Sequence, residues 1–282
     1  MSSNLYQDIM ALPSVGSLLA LHGIRADKSL GQHFLLDQGL TDTIVQHVGN
    51  LNNQHVVEIG PGPGALTRSI LSANPGHLTA IETDERFVKL LTSHLLPVSK
   101  NTLTIEHNDA LKYDYSSFKE PITIIANLPY NIGTELIFLW LNHLHHIQSI
   151  TVMLQKEVAM RLSAAPGDSS YGKVSVLTQR VCDCHIVMDV PQEAFSPPPK
   201  VMSSVVQLIP KSQPIAVNNP DFLKKMLTTC FNQRRKMLKK SLKQLTEDPV
   251  SLLEKLAIDP TRRPETLTIH ECCQLANSLE SA

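Results

Sequence analysis

The chain has 282 residues, of which 42% are hydrophobic and 18% charged, enough apolar material for a packed core and too much for wholesale disorder. Its 25 basic and 26 acidic residues give a net charge of −1. Eight of the basic residues and none of the acidic ones fall between residues 222 and 246, which leaves the rest at −9 and predicts a localised polyanion-binding face on an acidic body.

Taken in chain order, Pro13 and Ser14 are placed to start a short helix over Ser17–His22. Runs rich in Val, Ile and Thr follow at Val56–Ile59, Leu78–Ile81, Leu103–Glu106, Thr123–Ala126 and Ile150–Leu154, most of them separated by helix-length segments. That alternation predicts an α/β fold with a mostly parallel sheet and helices on both faces. His185–Asp189 and Ser204–Ile209 lack an intervening helix and are predicted as antiparallel additions to one edge. Lys211–Pro220 is polar, holds two prolines and reads as a linker. Beyond it Leu238, Leu242 and Leu245 recur at helical spacing, Arg235, Lys239 and Lys243 share another face, and Thr268 with Glu271 forms a capping box. The expected organisation is an N-terminal extension over 1–30, an α/β domain over 31–210 and a small helical domain over 211–282.

Membrane and metal readings fare poorly. The longest apolar run, Leu136–Leu141, has six residues against the ~20 that span a bilayer, and no basic residue precedes Arg25, so no charged leader is expected. The five cysteines are odd in number and lack C-x-x-C spacing, which predicts reduced thiols in a cytoplasmic protein. His143, His145 and His146 have no thiolate or carboxylate nearby in sequence and read as the polar end of a helix, so no metal is expected.

Gly60-Pro61-Gly62-Pro63-Gly64-Ala65 follows the first long strand and opens a helix, with Glu82 at the end of the next strand. The glycines match a dinucleotide fingerprint, which by itself would suit a nicotinamide dehydrogenase. Pyrophosphate binding relies on backbone N–H groups, however, and Pro61 and Pro63 have none. S-adenosylmethionine fits better. Its methionine part needs close backbone approach, Glu82 can accept from the ribose hydroxyls, and Asp109, after the third long strand, can accept from the adenine amino group.

Asn127-Leu128-Pro129-Tyr130 ends the fourth long strand, where open α/β folds bind ligands. An exocyclic amine on an aromatic ring is a poor nucleophile because its lone pair is delocalised. The Asn127 side-chain oxygen and the Leu128 carbonyl can take its two N–H bonds and aim the lone pair at a methyl donor, while Pro129 fixes the backbone and Tyr130 offers a stacking face. Phe195-Ser196-Pro197-Pro198-Pro199-Lys200-Val201 predicts a rigid extended arm, with Phe195 either closing on a splayed base or serving as core, and Lys200 meeting a phosphate.

These motifs, with Leu30–Leu35, Gln155–Ala159 and Asp259–Glu265, resemble the ribosomal RNA adenine dimethyltransferase family, in particular the bacterial small-subunit enzymes, over nearly the whole chain. The resemblance implies a Rossmann-like class I methyltransferase domain with a seven-stranded, mostly parallel sheet, followed by a small helical domain that docks RNA. It implies N6,N6-dimethylation of two adjacent adenosines in a hairpin loop near the 3′ end of 16S rRNA, in the immature small ribosomal subunit, by a monomer. It places S-adenosylmethionine contacts on His33, Leu35, Gly60, Glu82, Asp109 and Asn127, with His33 standing where many members have Asn. Tyr130 and Phe195 match its base-stacking positions. A large-subunit rRNA methyltransferase is the same-chemistry alternative, separable by a primer-extension footprint. A binding-only assembly or transcription factor is the alternative from another class, separable by cofactor turnover.

Overall fold

The computed structural model describes residues 5–27 and 31–280, so Leu30 of the Leu30–Leu35 motif lies outside the described residues. The elements run α1 (Leu5–Met10), α2 (Val15–Leu21), β1 (Phe34–Leu35), α3 (Gln38–Val48), β2 (His55–Ile59), α4 (Ala65–Ser72), β3 (His77–Glu82), α5 (Glu85–His94), β4 (Leu103–His107), β5 (Ile122–Asn127), α6 (Gly133–Leu141) and β6 (Ile147–Gln155). They continue through α7 (Lys156–Ser163), α8 (Lys173–Gln179), β7 (Cys182–Val190), β8 (Phe195–Ser196), β9 (Ser203–Pro210), α9 (Pro220–Phe231), α10 (Leu238–Ser241), α11 (Pro249–Lys255) and α12 (Ile269–Glu280). Local chemistry sets several starts. Asp37 accepts from the Leu40 N–H at 3.1 Å to open α3, and Asn219, with Pro220 in the first turn, opens α9. At α12 the capping box is closed from both sides: Glu271 N–H donates to the Thr268 hydroxyl and Thr268 N–H donates to the Glu271 carboxylate.

The main sheet has the order β4-β3-β2-β5-β6-β9-β7. Strands β2 to β6 pair in parallel and β9 runs antiparallel to β6, as the sequence predicts. β2, β3 and β5 are buried almost end to end, because helices cover both faces and no solvent face demands alternation. The strand order reverses between β2 and β5. Their carboxyl ends flank a topological switch point, the place where such sheets leave a crevice. A separate two-stranded ribbon pairs β1 with β8, Phe34 opposite Ser196 and Leu35 opposite Phe195.

The chain forms two compact units, Met1–Lys156 with His185–Ile209, and Glu157–Cys184 with Pro210–Ala282. The linker composition marks a change near residue 211, and packing adds α7 and α8 to the second unit. Ala164, Tyr171 and Val176 are buried there with Leu223, Met226 and Leu227, a grouping that composition along the chain cannot reveal. Residues 5–27 are built into the first unit. Val15, Leu18 and Leu19 cluster with Phe34, Ala65, Phe87 and Leu90, and the Arg68 guanidinium donates to the Pro13 carbonyl at 2.9 Å.

One expectation is corrected. The basic segment is not a continuous helix: Arg234, Arg235 and Lys236 lie in turns after α9, and α10 is followed by a 3₁₀ turn over Leu242–Gln244. The cause is an external cap. The N–H groups of Leu238 and Lys239 donate to the carbonyls of Arg262 (2.8 Å) and Pro260 (3.2 Å), so α10 starts afresh instead of extending α9. Leu238 and Leu242 are fully buried and anchor the segment as expected, with Leu245 half-buried. Among the described residues no helix is long and apolar enough to cross a membrane, and no group of three or more His, Cys, Asp or Glu side chains is placed to share a metal ion.

Candidate active site

At the switch point the first unit holds a cavity of about 290 Å³, lined by the glycine turn, the ends of β2, β3 and β5, and the β1–β8 ribbon. Gly60, Gly62 and Gly64 all have positive φ (63°, 53° and 92°), a backbone region that residues with a Cβ rarely enter. A Cβ at Gly64 would lie 2.7 Å from Leu91 Cδ2, so this glycine is required twice over. The turn is tied down by Gly60 N–H donating to the Ile81 carbonyl and Gly62 N–H donating to Glu82 Oε2 at 3.0 Å.

Glu82, at the end of β3, is 6% exposed. Its other oxygen, Oε1, accepts the Asp84 N–H at 2.8 Å. Burial pushes its pKa up, and the N–H groups of Asp84, Gly62 and Thr83 oppose that rise. Next to it, Asp84 is held at about 2, chiefly by the Arg86 guanidinium. Asp84 also accepts from Gln32 Nε2 at 3.0 Å, and Gln32 Oε1 accepts the Asp27 N–H at 2.9 Å, so the segment bearing His33 is fastened to the start of α5. Asp109 follows β4. Its Oδ1 accepts the Leu111 N–H at 3.0 Å and Oδ2 lies 3.5 Å from Lys112 Nζ.

Asn127 is the last residue of β5, opposite Met153, and Leu128 is pinned by donating its N–H to the Met153 carbonyl at 3.2 Å. The Asn127 side chain and the Leu128 carbonyl carry no hydrogen bond to protein among the described residues. Pro129 instead uses its carbonyl to accept from Gly133 N–H, which starts α6. His33 donates through Nδ1 to the Pro197 carbonyl at 2.7 Å, which holds the ring in place. Its ring stacks on Tyr130 with centroids 5.8 Å apart. Leu35 and Phe195 face each other in the ribbon, both belong to the main core cluster, and both border the cavity. The cavity therefore gathers His33, Leu35, Gly60, Glu82, Asp109, Asn127, Leu128, Pro129, Tyr130 and Phe195.

Sequence reasoning passed over Glu58 as a titrating group, although it sits two residues before Gly60. It is 1% exposed, and burial, with the Glu82 carboxylate adding to it and the Thr67 hydroxyl opposing, pushes its pKa up to about 8. A carboxyl that holds its proton more tightly folded than unfolded makes stability fall as pH rises from 4.5 to about 8. Glu58→Gln, which cannot ionise, is expected to unfold at an increasingly higher temperature than the parent across that window. Parallel melting curves at all pH values would remove Glu58 as a titrating group.

Comparison with known proteins shows the family of the chain. A family model described as Ribosomal RNA adenine dimethylase matches residues 23–281. Proteins named Ribosomal RNA small subunit methyltransferase A are similar along their whole length: one from Mesorhizobium japonicum is 42% identical (96% of this chain, 99% of the relative), and one from Sinorhizobium medicae is 44% identical (95% and 98%). Among solved structures, a dimethyladenosine transferase from Plasmodium falciparum superposes with a TM-score of 0.77 at 28% identity, covering 86% of this chain and 96% of that one. A 23S rRNA methyltransferase superposes at 0.66 and 22% identity over 88% and 99%, which speaks to the fold alone. With a seven-stranded sheet, a glycine turn and an Asn-Leu-Pro-Tyr rim meeting at one cavity, and a family model spanning nearly all of it, the chain belongs to the ribosomal RNA adenine dimethylase family.

Proposed function

We propose that the protein transfers methyl groups from S-adenosylmethionine to N6 of two adjacent adenosines near the 3′ end of 16S rRNA, acting as a cytoplasmic monomer on the immature small ribosomal subunit. The observation that carries the cofactor assignment is the charge of the cavity. Its lining includes the acids Glu82, Asp84 and Asp109 and no lysine or arginine among the described residues, while Glu58, whose pKa burial pushes up to about 8, adds no charge at neutral pH. Such a lining suits a cationic ligand and disfavours the pyrophosphate of a dinucleotide, against which the prolines of the turn already argue. The residues fit the cofactor in kind. Gly60 and the turn leave room for the methionine part, Glu82 accepts from the ribose, Asp109 accepts from the adenine amino group, and His33, Leu35 and Asn127 close the remaining sides.

Bound there, S-adenosylmethionine supplies an electrophilic methyl group. The protein's own task is orientation. The Asn127 side-chain oxygen and the Leu128 carbonyl, both without a protein donor among the described residues, accept the two N–H bonds of the target amine and bend it towards tetrahedral geometry. Tyr130 stacks on the base, with Phe195 buried along the same cavity. No strong base is needed, since the methylated ammonium loses its proton readily to water. Docking falls to the second unit, where Arg234, Arg235, Lys236, Lys239, Lys240 and Lys243 make no salt bridge among the described residues.

Labelled methyl transfer to undermethylated small subunits, compared with deproteinised rRNA and with large subunits, tests the proposal. Label confined to the small subunit and a primer-extension stop at adjacent adenosines is the expected result. Label on the large subunit, as for the 23S enzyme of similar fold, would replace the substrate assignment. Glu82→Ala removes a charged acceptor and also frees Gly62. It is expected to weaken cofactor binding by about 1.5–3 kcal/mol, roughly tenfold to a hundredfold or more by calorimetry. Unchanged affinity would exclude the ribose role.

A further inference from the structure

Tyr130 is held in part by a side chain that none of the nucleotide-binding motifs contains. Asn127 and Leu128 are fixed by the backbone ladder of β5, but Tyr130 lies beyond the sheet, in the loop before α6, where a half-buried ring must be oriented by its neighbours. Its hydroxyl lies 2.6 Å from Ser203 Oγ. Ser203 is fully buried, is the first residue of β9 and stands opposite Gln155 in the sheet register, so it is a rigid anchor. The preceding residue is pinned as well, since Lys156 N–H donates to the Met202 carbonyl at 2.9 Å. A second hold comes from His33, whose ring lies at 27° to that of Tyr130 and is itself fixed by the Pro197 carbonyl. Burial raises the Tyr130 pKa, so the phenol keeps its proton and the hydrogen bond persists at neutral pH.

We propose that Ser203 is a positioning residue for methyl transfer: it fixes the Tyr130 hydroxyl, and with His33 against the ring it sets the plane on which the target adenine stacks. This rests on the reading of Tyr130 as the stacking platform. Without Ser203 Oγ the ring is held on one side only, and the base it carries samples orientations in which the amine misses Asn127 and the Leu128 carbonyl. The loss therefore falls on the chemical step, because the cofactor contacts are on other elements.

The test uses the full chain, undermethylated small subunits as substrate, and four variants: Ser203→Ala, Tyr130→Phe, the double variant and Tyr130→Ala. Losing one hydrogen bond is expected to lower kcat about fivefold in each of the first two, with cofactor Kd within about twofold of the parent. The double variant should be no slower than the slower single, because both remove the same bond. Multiplying losses in the double variant, or a Ser203→Ala protein with parental kcat and only a lower melting temperature, would overturn the proposal. Tyr130→Ala separates the two readings. Near-parental turnover there sinks the platform itself, whereas severe loss there with parental Ser203→Ala sinks only the role of Ser203. Should Ser203→Ala fail to fold, Tyr130→Phe retains the serine and carries the test alone.

Discussion

Asn127→Ala is expected to reduce methyl transfer by about 10²-fold or more, with only a modest loss of cofactor affinity. The amide sits at the end of β5 and carries no hydrogen bond to protein among the described residues, so little of the fold depends on it. Its oxygen is one of only two acceptors proposed for the target amine. With that oxygen gone the nitrogen relaxes towards planarity, its lone pair returns to the ring, and in-line attack becomes rare. Cofactor binding survives because the glycine turn, Glu82 and Asp109 are untouched. Single-turnover transfer of labelled methyl groups, read beside calorimetric cofactor affinity, checks both halves. A variant within a few-fold of the parental rate sinks the orienting role.

The second large effect is expected from reversing charge at Arg235 and Lys239. If the basic segment grips phosphates, each neutralised phosphate contributes a log–log salt slope of about −0.7 to −0.9. The double variant should bind small subunits more weakly and show a slope flatter by about one to two units. Cofactor affinity should stay the same, since the cavity is built by residues of the first unit. An unchanged salt slope would make these charges a solvated surface. The docking role would then pass to another cation outside the segment, and the exposed Lys200 is a better candidate than Lys156, paired with Asp189 at 2.6 Å, or Arg161, paired with Glu157.

The parallel sheet was legible because its signal is local: β-branched runs of strand length separated by helix-length gaps. The cavity was legible because glycines, an acid and Asn-Leu-Pro-Tyr recur at the ends of successive strands, and parallel topology brings those ends together. What escaped was tertiary. Ser203 reads as one more serine at a strand start, and only the fold puts it under Tyr130. The basic segment carries a helical leucine pattern, but a cap offered from residues 260 and 262 overrides it. Likewise, the polar stretch at 211–220 marks a change in composition and gives no hint that residues 157–184 belong to the second unit or that α8 packs with α9 and α12.

The ribbon that joins Phe34 to Ser196 has a bearing on how the protein comes into being. His33 and Pro197, bonded across the roof of the cavity, are 164 residues apart. During synthesis the glycine turn and Glu82 are made early, while the far side of their enclosure has still to be translated. Contacts of such long sequence separation form late, because the loop between them must close first. A chain interrupted before Phe195 carries most of the cofactor's proposed polar contacts but has no roof over them. The enclosure proposed for the cofactor is therefore complete only with the whole first unit, gained near the end of its assembly rather than in step with the glycine turn.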